Sequence, residues 1–148
     1  MNISLARSQH IFRTILGSLI LLAAISVGSE EKVNKMTYLL SGSEGYCELN
    51  VSDVKRGEVI KPWARIRNVG TTAVCVKDIR ETIFGPPSDS KPLDASLEPG
   101  QEIIHELNSI ETENFLGDIC KTYSLRFDPP GVVEVVIYRS LQDLEKDK

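Results

Sequence analysis

The fold class is decided by residues 64–76, which read ARIRNVGTTAVCV. Apolar and polar side chains alternate on both sides of an Asn68-Val69-Gly70 corner, and a period of two is typical of half-buried β-strands. Asn and Gly tolerate the positive φ of a tight reversal, so the two runs are predicted to be antiparallel partners. A Pro99-Gly100 turn leads into another run at residues 101–107. Short strands separated by turns predict an all-β fold, an immunoglobulin-like antiparallel β-sandwich.

Outward from this corner, strand patterns extend over residues 46–139, which we expect to form a single domain. The polar, glycine- and serine-rich residues 30–45 are predicted to be a linker or a weak first strand. Residues 140–148 are predicted to be a polar tail with at most a frayed helical turn. At 148 residues there is room for one domain of this size and not for two full cores.

Two irregularities are predicted inside the domain. The alternating pattern slips near Lys77-Asp78, which indicates a β-bulge. Pro129-Pro130-Gly131 separates two alternating runs, residues 122–128 and 132–138, and is predicted to be a turn between two strands.

Residues 1–29 are typical of a targeting or anchoring segment. Arg7 and Arg13 precede an uncharged run, residues 14–29, that is shorter than the roughly 20 residues a comfortable transmembrane helix needs. Small residues at the end of that run suit signal-peptidase cleavage, so a cleaved signal peptide is favoured over an uncleaved anchor helix through residues 11–29. Both alternatives predict an extracytoplasmic domain, either secreted or tethered to the cytoplasmic membrane.

The charge balance bears on the class of partner. The formal net charge is −4, whereas nucleic-acid-binding domains present a basic face. We therefore expect a protein or an envelope component as the partner and no nucleic acid. The oligomeric state is left open.

Three cysteines, Cys47, Cys75 and Cys120, lie in the expected extracytoplasmic part. In an oxidising compartment this count predicts one disulfide and one remaining thiol, which either pairs between chains or is buried as a small hydrophobe. Pairing of Cys47 or Cys75 with Cys120 is favoured, although connectivity stays open. Asn50 begins an Asn-Val-Ser sequon and is a candidate glycosylation site.

Signatures of catalysis are missing from the sequence. His105 has no second ligand at metal spacing, and the acidic residues of the loops lack the spacing of a calcium loop. Neither a Gly-x-Ser-x-Gly elbow nor a glycine-rich phosphate loop occurs. The sequence therefore predicts a protein without catalytic, cofactor-binding or metal-binding residues. The alternative of a secreted metal- or sugar-handling enzyme domain would need a ligand cluster around His105.

One candidate binding face follows from strand parity. Trp63, Arg65 and Arg67 lie on the strand face opposite its apolar residues. Trp and Arg are enriched among the residues that dominate binding energy. The alternative is that Trp63 points into the core and Pro62 marks a register shift.

The turn and core residues also carry a family resemblance. Residues 66–72, 97–101 and 123–136 together resemble CARDB-type and related immunoglobulin-like domains of bacterial and archaeal surface proteins. This resemblance implies a non-catalytic binding or scaffolding module acting in adhesion or envelope contact. A hydrophobic N-terminus before one such domain is also similar to archaellum stator proteins of the FlaF/FlaG type and to pilin-like subunits. That similarity implies a membrane-anchored archaellum or pilus accessory subunit.

Overall fold

The computed structural model describes residues 32–82, 90–112 and 117–148, without the side chain of Asp53. These residues form eight strands and one helix: β1 (Lys35–Val54), β2 (Val59–Ile60), β3 (Trp63–Asn68), β4 (Val74–Thr82), β5 (Lys91–Leu97), β6 (Glu102–Glu106), β7 (Ile110–Glu111), β8 (Gly117–Tyr138) and α1 (Leu141–Lys146). Every strand pair is antiparallel, so the all-β, antiparallel prediction is confirmed. The predicted signal or anchor segment lies outside the described residues. Among those residues, no helix has the length and apolar character needed to cross a membrane.

The long strand β8 organises the main sheet. Its residues 122–127 pair with β4, and its residues 133–138 pair with β3. Strand β1 pairs with both parts of β8 along its other edge. Strand β5 pairs with β4, and β6 pairs with β3. The sheet therefore has a β4 half and a β3 half, joined by the continuous strands β1 and β8. Strands β2 and β7 form a separate pair.

The topology corrects the expected pairing of the two runs at the corner. Strands β3 and β4 do not pair with each other, because each pairs with a different part of β8. The corner thus carries the chain from one half of the sheet to the other. Gly70 has no positive φ; an added Cβ there would lie 3.4 Å from the backbone nitrogen of Val132, so the glycine allows a close approach. The predicted bulge is confirmed, since the register shifts between Val76 and Asp78.

Asn68 holds the corner in place. Its side-chain amide donates to the carbonyl oxygens of Thr72 and Leu97, both at 2.9 Å. Its side-chain oxygen accepts from the Gly70 N–H at 2.9 Å. Because Leu97 ends β5, this fully buried side chain bonds the crossover to the edge of the β4 half.

Strands β1 and β8 are both bent, at places where the sequence predicted a linker or weak first strand and a turn. The Pro129-Pro130-Gly131 segment does not reverse the chain; it bends β8, and β1 runs beside both parts. The matching register shift in β1 falls between Gly42 and Glu44, where Gly42 has a φ of 100°. Residues 35–45, for which a linker or a weak first strand was predicted, belong to strand β1. The compact unit begins at Val33.

The two halves share one hydrophobic core. The inward positions of β1 change parity across its bend, from even-numbered to odd-numbered residues, so that both parts face the same interior. The fully buried members of this core include Ala64, Ile66, Val133, Val135 and Ile137 from the β3 half, and Val76, Ile79, Tyr123 and Leu125 from the β4 half. Burying a large apolar side chain contributes about 1.5–3 kcal/mol to the free energy of folding, so this shared interior supplies most of the driving force for folding.

The C-terminal tail is also more ordered than predicted. Ser140 caps α1, its hydroxyl accepting from the Asp143 N–H at 3.2 Å. Leu144 is buried against Val136 and Tyr138 on the outer face of the β3 half. The tail is therefore a docked helix, because it has both a capped first turn and an apolar anchor.

Candidate functional site

The alternation predicted for β3 is confirmed. Ala64 and Ile66 are fully buried on the inner face, whereas Trp63, Arg65 and Arg67 lie on the outer face. Trp63 therefore does not point into the main core. The three predicted binding residues differ in exposure, with Trp63 and Arg65 half-buried and Arg67 exposed.

The C-terminal segment accounts for this difference. Trp63 packs against the small outer cluster of Val136, Tyr138 and Leu144. The guanidinium of Arg65 lies 5.8 Å from the centre of the Tyr138 ring, within the range of a cation–π contact. Two of the three predicted binding residues thus help to hold the helix, which the sequence pattern did not reveal because the tail was expected to be frayed.

Asp147 ties the end of the tail to this face. Its carboxylate accepts from the Lys35 ammonium and the Tyr138 hydroxyl, each at 2.6 Å, and lies 3.7 Å from Arg65. The Lys35 contact, then the Tyr138 hydrogen bond, hold the pKa of Asp147 below its usual value. Burial, followed by the Asp147 hydrogen bond, raises the pKa of Tyr138.

The rest of the outer face of the β3 half is uncovered and partly apolar. Leu39 on β1 is 71% exposed, and Val69, Ile104 and Val132 are each more than one-third exposed. The strand register places Leu39 opposite Glu134, and Glu134 opposite Arg67. We call Leu39, Arg67, Val69, Ile104 and Val132 the outer patch. The sequence pattern missed Leu39 because it lies in the predicted linker.

A buried polar cluster lies on the inner side of the β4 half. Lys121 and Glu81 form an ion pair at 3.1 Å, and both side chains are almost fully buried. The loop after β6 closes over the pair, because Asn108 donates its N–H to Glu81 and accepts from the Lys121 ammonium at 3.2 Å. The Lys121 ammonium also lies 5.6 Å from the Tyr123 ring centre. Burial, then the charge of Glu81, raise the pKa of Tyr123, so this phenol stays protonated.

His105 lies on the inner face of β6, where the enzyme alternative would need a ligand cluster. Burial, then the nearby charge of Lys91, lower the pKa of His105 below its usual value. Its Nε2 is buried and has no hydrogen-bond partner. Across residues 32–82, 90–112 and 117–148, no group of three or more His, Cys, Asp or Glu side chains is arranged to hold a metal ion.

The predicted disulfide is not formed, since Cys47, Cys75 and Cys120 are all free. Cys47 points into the core, whereas Cys120 is exposed. Cys120 lies opposite Asn50, which is three residues from Cys47 along β1. Three residues of strand span roughly 10 Å, too far for a disulfide. Cys75 lies on β4, separated from β1 by β8. Burial raises the pKa of the Cys47 thiol to about 12, which disfavours a reactive thiolate.

The candidate glycosylation site is accessible. Asn50 and Ser52 are exposed on β1 and line a shallow cavity of about 260 Å³ together with Asp118 and Cys120. Its use as an acceptor stays a prediction.

A second cavity, of about 480 Å³, opens beside the bend in the sheet. Its walls combine the cations Lys77 and Arg126 with the acids Glu44 and Asp128. Arg126 is already bonded through two of its nitrogens to the carboxylate of Asp78. This ion pair neutralises much of the positive charge of Arg126, which an anionic ligand in the cavity would require.

Comparisons with known proteins do not place the chain in a family. No protein-family model matches it, and no curated protein matches it. Among solved structures, one match is a chain from the structure of infectious bursal disease virus, Gx strain. The TM-score is 0.32 and the identity 7%, and the match covers 72% of this chain and 34% of the viral chain. The chain thus spans about a third of the length of that viral chain.

Proposed function

We propose that the chain is an extracytoplasmic, non-catalytic binding or scaffolding module of the cell surface that contacts its partner through the outer patch. The observation that carries this proposal is the concentration of exposed apolar side chains. Of the seven large hydrophobic residues exposed in the described ranges, four lie on the outer face of the β3 half. Apolar patches bordered by polar residues mark interaction sites, whereas single exposed residues need no explanation.

The composition of the patch suits a protein or envelope partner. Arg67 lies in its middle, and the acidic residues Glu102 and Glu134 flank this arginine on the neighbouring strands. The patch therefore mixes charged and apolar side chains, as non-obligate interfaces do, and arginine is enriched at such interfaces. The acidic net charge supports a partner other than nucleic acid.

For the fold, we infer an immunoglobulin-like β-sandwich of the CARDB-type class. Two features support this: the β4 half and the β3 half enclose one core, and the crossover at Asn68 connects them. The sequence resemblance over residues 46–139 points the same way. In such a sandwich, the outer faces of the two sheets are the surfaces available for adhesion or envelope contact.

The alternative role is that of a membrane-anchored archaellum or pilus accessory subunit. It is favoured by the short connection between the hydrophobic run, which ends at residue 29, and β1, which begins at Lys35. This role requires that the hydrophobic run is retained and stays joined to the domain. The intact mass of the membrane-associated protein distinguishes an uncleaved anchor from a signal peptide removed after Ser29.

Site-specific photo-crosslinking in the producing cells tests the binding role. A photoreactive phenylalanine analogue at Val69 is expected to form adducts with an envelope component, and Arg67→Glu in the same chain is expected to reduce them. The matched control carries the analogue at Tyr46, which is exposed on the other half of the sheet. Equal adduct formation at both positions, or none at Val69, would contradict the proposal. An adduct of twice the chain's own mass would report self-association instead.

A further inference from the structure

The first part of β1 presents an open sheet edge. Within the described ranges β1 pairs with β8 alone. The Arg139 N–H donates to the Asn34 carbonyl at 3.2 Å, which makes residues 34 and 139 a hydrogen-bonded pair in this register. Antiparallel pairs alternate, so the N–H and C=O groups of the odd-numbered residues 35–41 point away from β8. These groups form the β1 edge.

The other sheet edges are protected. The second part of β1 has two edge groups occupied, since the Tyr38 hydroxyl donates to the Glu48 carbonyl and the Asn50 N–H donates to the sulfur of Met36. Strand β5 contains Pro92 and the positive-φ residue Asp94. Strand β6 has only three residues between the glutamates at its two ends. Proline, irregular backbone and charge are the means by which proteins block pairing at an edge.

The β1 edge carries a charge only at its first residue, Lys35, and irregular backbone only after its last, at Gly42. Residues 36–43, which read MTYLLSGS, contain neither a charge nor a proline. Unpaired backbone groups along such a segment are a template for another strand. Opposite charges flank the segment, with Lys35 before it and Glu44 after it.

We propose that two copies of the chain pair antiparallel through the β1 edge, with Leu39 directly opposite Leu39 of the second copy. Because only residues of the same parity can face each other across such a pair, few registers are available. The register centred on Leu39 sets Thr37 against Ser41 and brings Lys35 near Glu44 of the other copy. The end charges are then of opposite sign, and Lys35 at the same time contacts Asp147 of its own copy.

This pairing also accounts for the exposure of Leu39. In a two-fold arrangement the same residue meets itself, so a single exposed leucine is sufficient to create an apolar cross-strand contact. The two outer patches would then lie on one continuous sheet. Self-association goes beyond the proposed envelope contact and does not depend on it.

Charge replacement at Leu39 tests the register directly. Sedimentation equilibrium over a concentration series, in reducing buffer so that Cys120 cannot link copies, is expected to show a reversible monomer–dimer equilibrium. Leu39→Lys and Leu39→Glu each place like charges opposite one another and should weaken dimerisation by about tenfold or more. An equimolar mixture of the two variants should restore dimers, because lysine then faces glutamate.

Matched variants separate this effect from misfolding. Val59→Lys and Val59→Glu change an exposed residue on β2, outside the β1 edge, and should leave dimerisation unchanged. Circular dichroism and thermal unfolding check that the Leu39 variants stay folded. A monomeric wild-type protein at sub-millimolar concentration, unaffected dimerisation in the Leu39 variants, or no recovery in the mixture would each overturn the proposal. Envelope adducts from Val69 would still support the proposed function.

Discussion

The two halves of the sheet are built from the same two long strands yet are stabilised differently. The interior of the β4 half contains the ion pair of Glu81 and Lys121, closed over by a loop. In the β3 half, the inward residues of β3 and β8 are apolar except for Asn68, and a second apolar cluster with α1 covers part of its outer face. Folding of the β4 half therefore depends on satisfying buried charges, whereas the β3 half depends on apolar contacts at both faces.

The largest effect is expected from the buried ion pair. Lys121→Met removes the cation that faces Glu81, so the buried carboxylate keeps hydrogen bonds such as that from the Asn108 N–H but loses this counter-charge, and the free energy of unfolding should fall by about 3 kcal/mol. Urea denaturation followed by circular dichroism measures this change. The double variant Lys121→Met with Glu81→Leu should recover most of the loss, because an apolar pair no longer requires charge compensation. A small loss in the single variant would show that the β4 half does not depend on its charges.

The next effect concerns the residue that connects the halves. Asn68→Ala leaves the Thr72 and Leu97 carbonyls and the Gly70 N–H without their side-chain partner. We expect a loss of about 3 kcal/mol in the free energy of unfolding, since each unsatisfied buried group costs on the order of 1–3 kcal/mol. Asn50→Ala is the control, because Asn50 is exposed and its loss should stay within about 0.5 kcal/mol. Equal losses in the two variants would exclude a special role for the corner.

The sequence predicted the direction of side chains within a strand better than it predicted which strands pair. The period-two pattern of β3 correctly separated Ala64 and Ile66 from Trp63, Arg65 and Arg67, since side-chain direction depends on strand parity alone. The pairing of β3 and β4 was wrong, because an Asn-x-Gly corner fits a crossover between sheet halves as well as a hairpin. Strand partners are set by contacts far apart in the chain, which local patterns do not encode.

The candidate site was only partly predictable for the same reason. Arg67 was identified from parity and is exposed. The covering of Trp63 and Arg65 depends on the end of the chain, because Trp63 packs against the cluster that includes Leu144 and Arg65 lies 3.7 Å from Asp147. Leu39 was overlooked because the glycine- and serine-rich residues around it read as a linker. In the folded chain, Gly42 and Gly45 serve the bend instead: an added Cβ on Gly45 would lie 2.8 Å from Leu40.

A moderate effect is expected from the outer layer of the β3 half. Leu144→Ala should lower the free energy of unfolding by about 2 kcal/mol, the lower end of the range for a buried leucine, because the short helix buries it from one side. The fluorescence of Trp63, the single tryptophan of the chain, should shift to the red as the helix loosens. Leu141→Ala on the exposed side of the same helix is the matched control. A similar loss in both variants would mean that the buried contact of Leu144 does not hold the segment, because alanine forms helices at least as well as leucine.

The smallest effect is a local response to acid. The pKa of Asp147 is lowered in the folded protein, chiefly by the Lys35 contact and then by Tyr138, so its ionised form stabilises the docked tail. This contribution is present above the unfolded value of about 3.8 and is lost as the pH falls through the lower folded value. Trp63 fluorescence should therefore report partial release of α1 below about pH 3.8, before global unfolding.

Two variants separate this carboxylate from other acid-sensitive groups. Asp147→Asn should abolish the acid step in Trp63 fluorescence, because the amide does not titrate and attracts neither Lys35 nor Arg65. Glu58→Gln should leave that step in place, although the pKa of Glu58 is also lowered, by the Lys55 N–H and then by Arg139. If Asp147→Asn keeps the step, the acid response arises elsewhere, and the outer layer of the β3 half is held by its apolar contacts without electrostatic help.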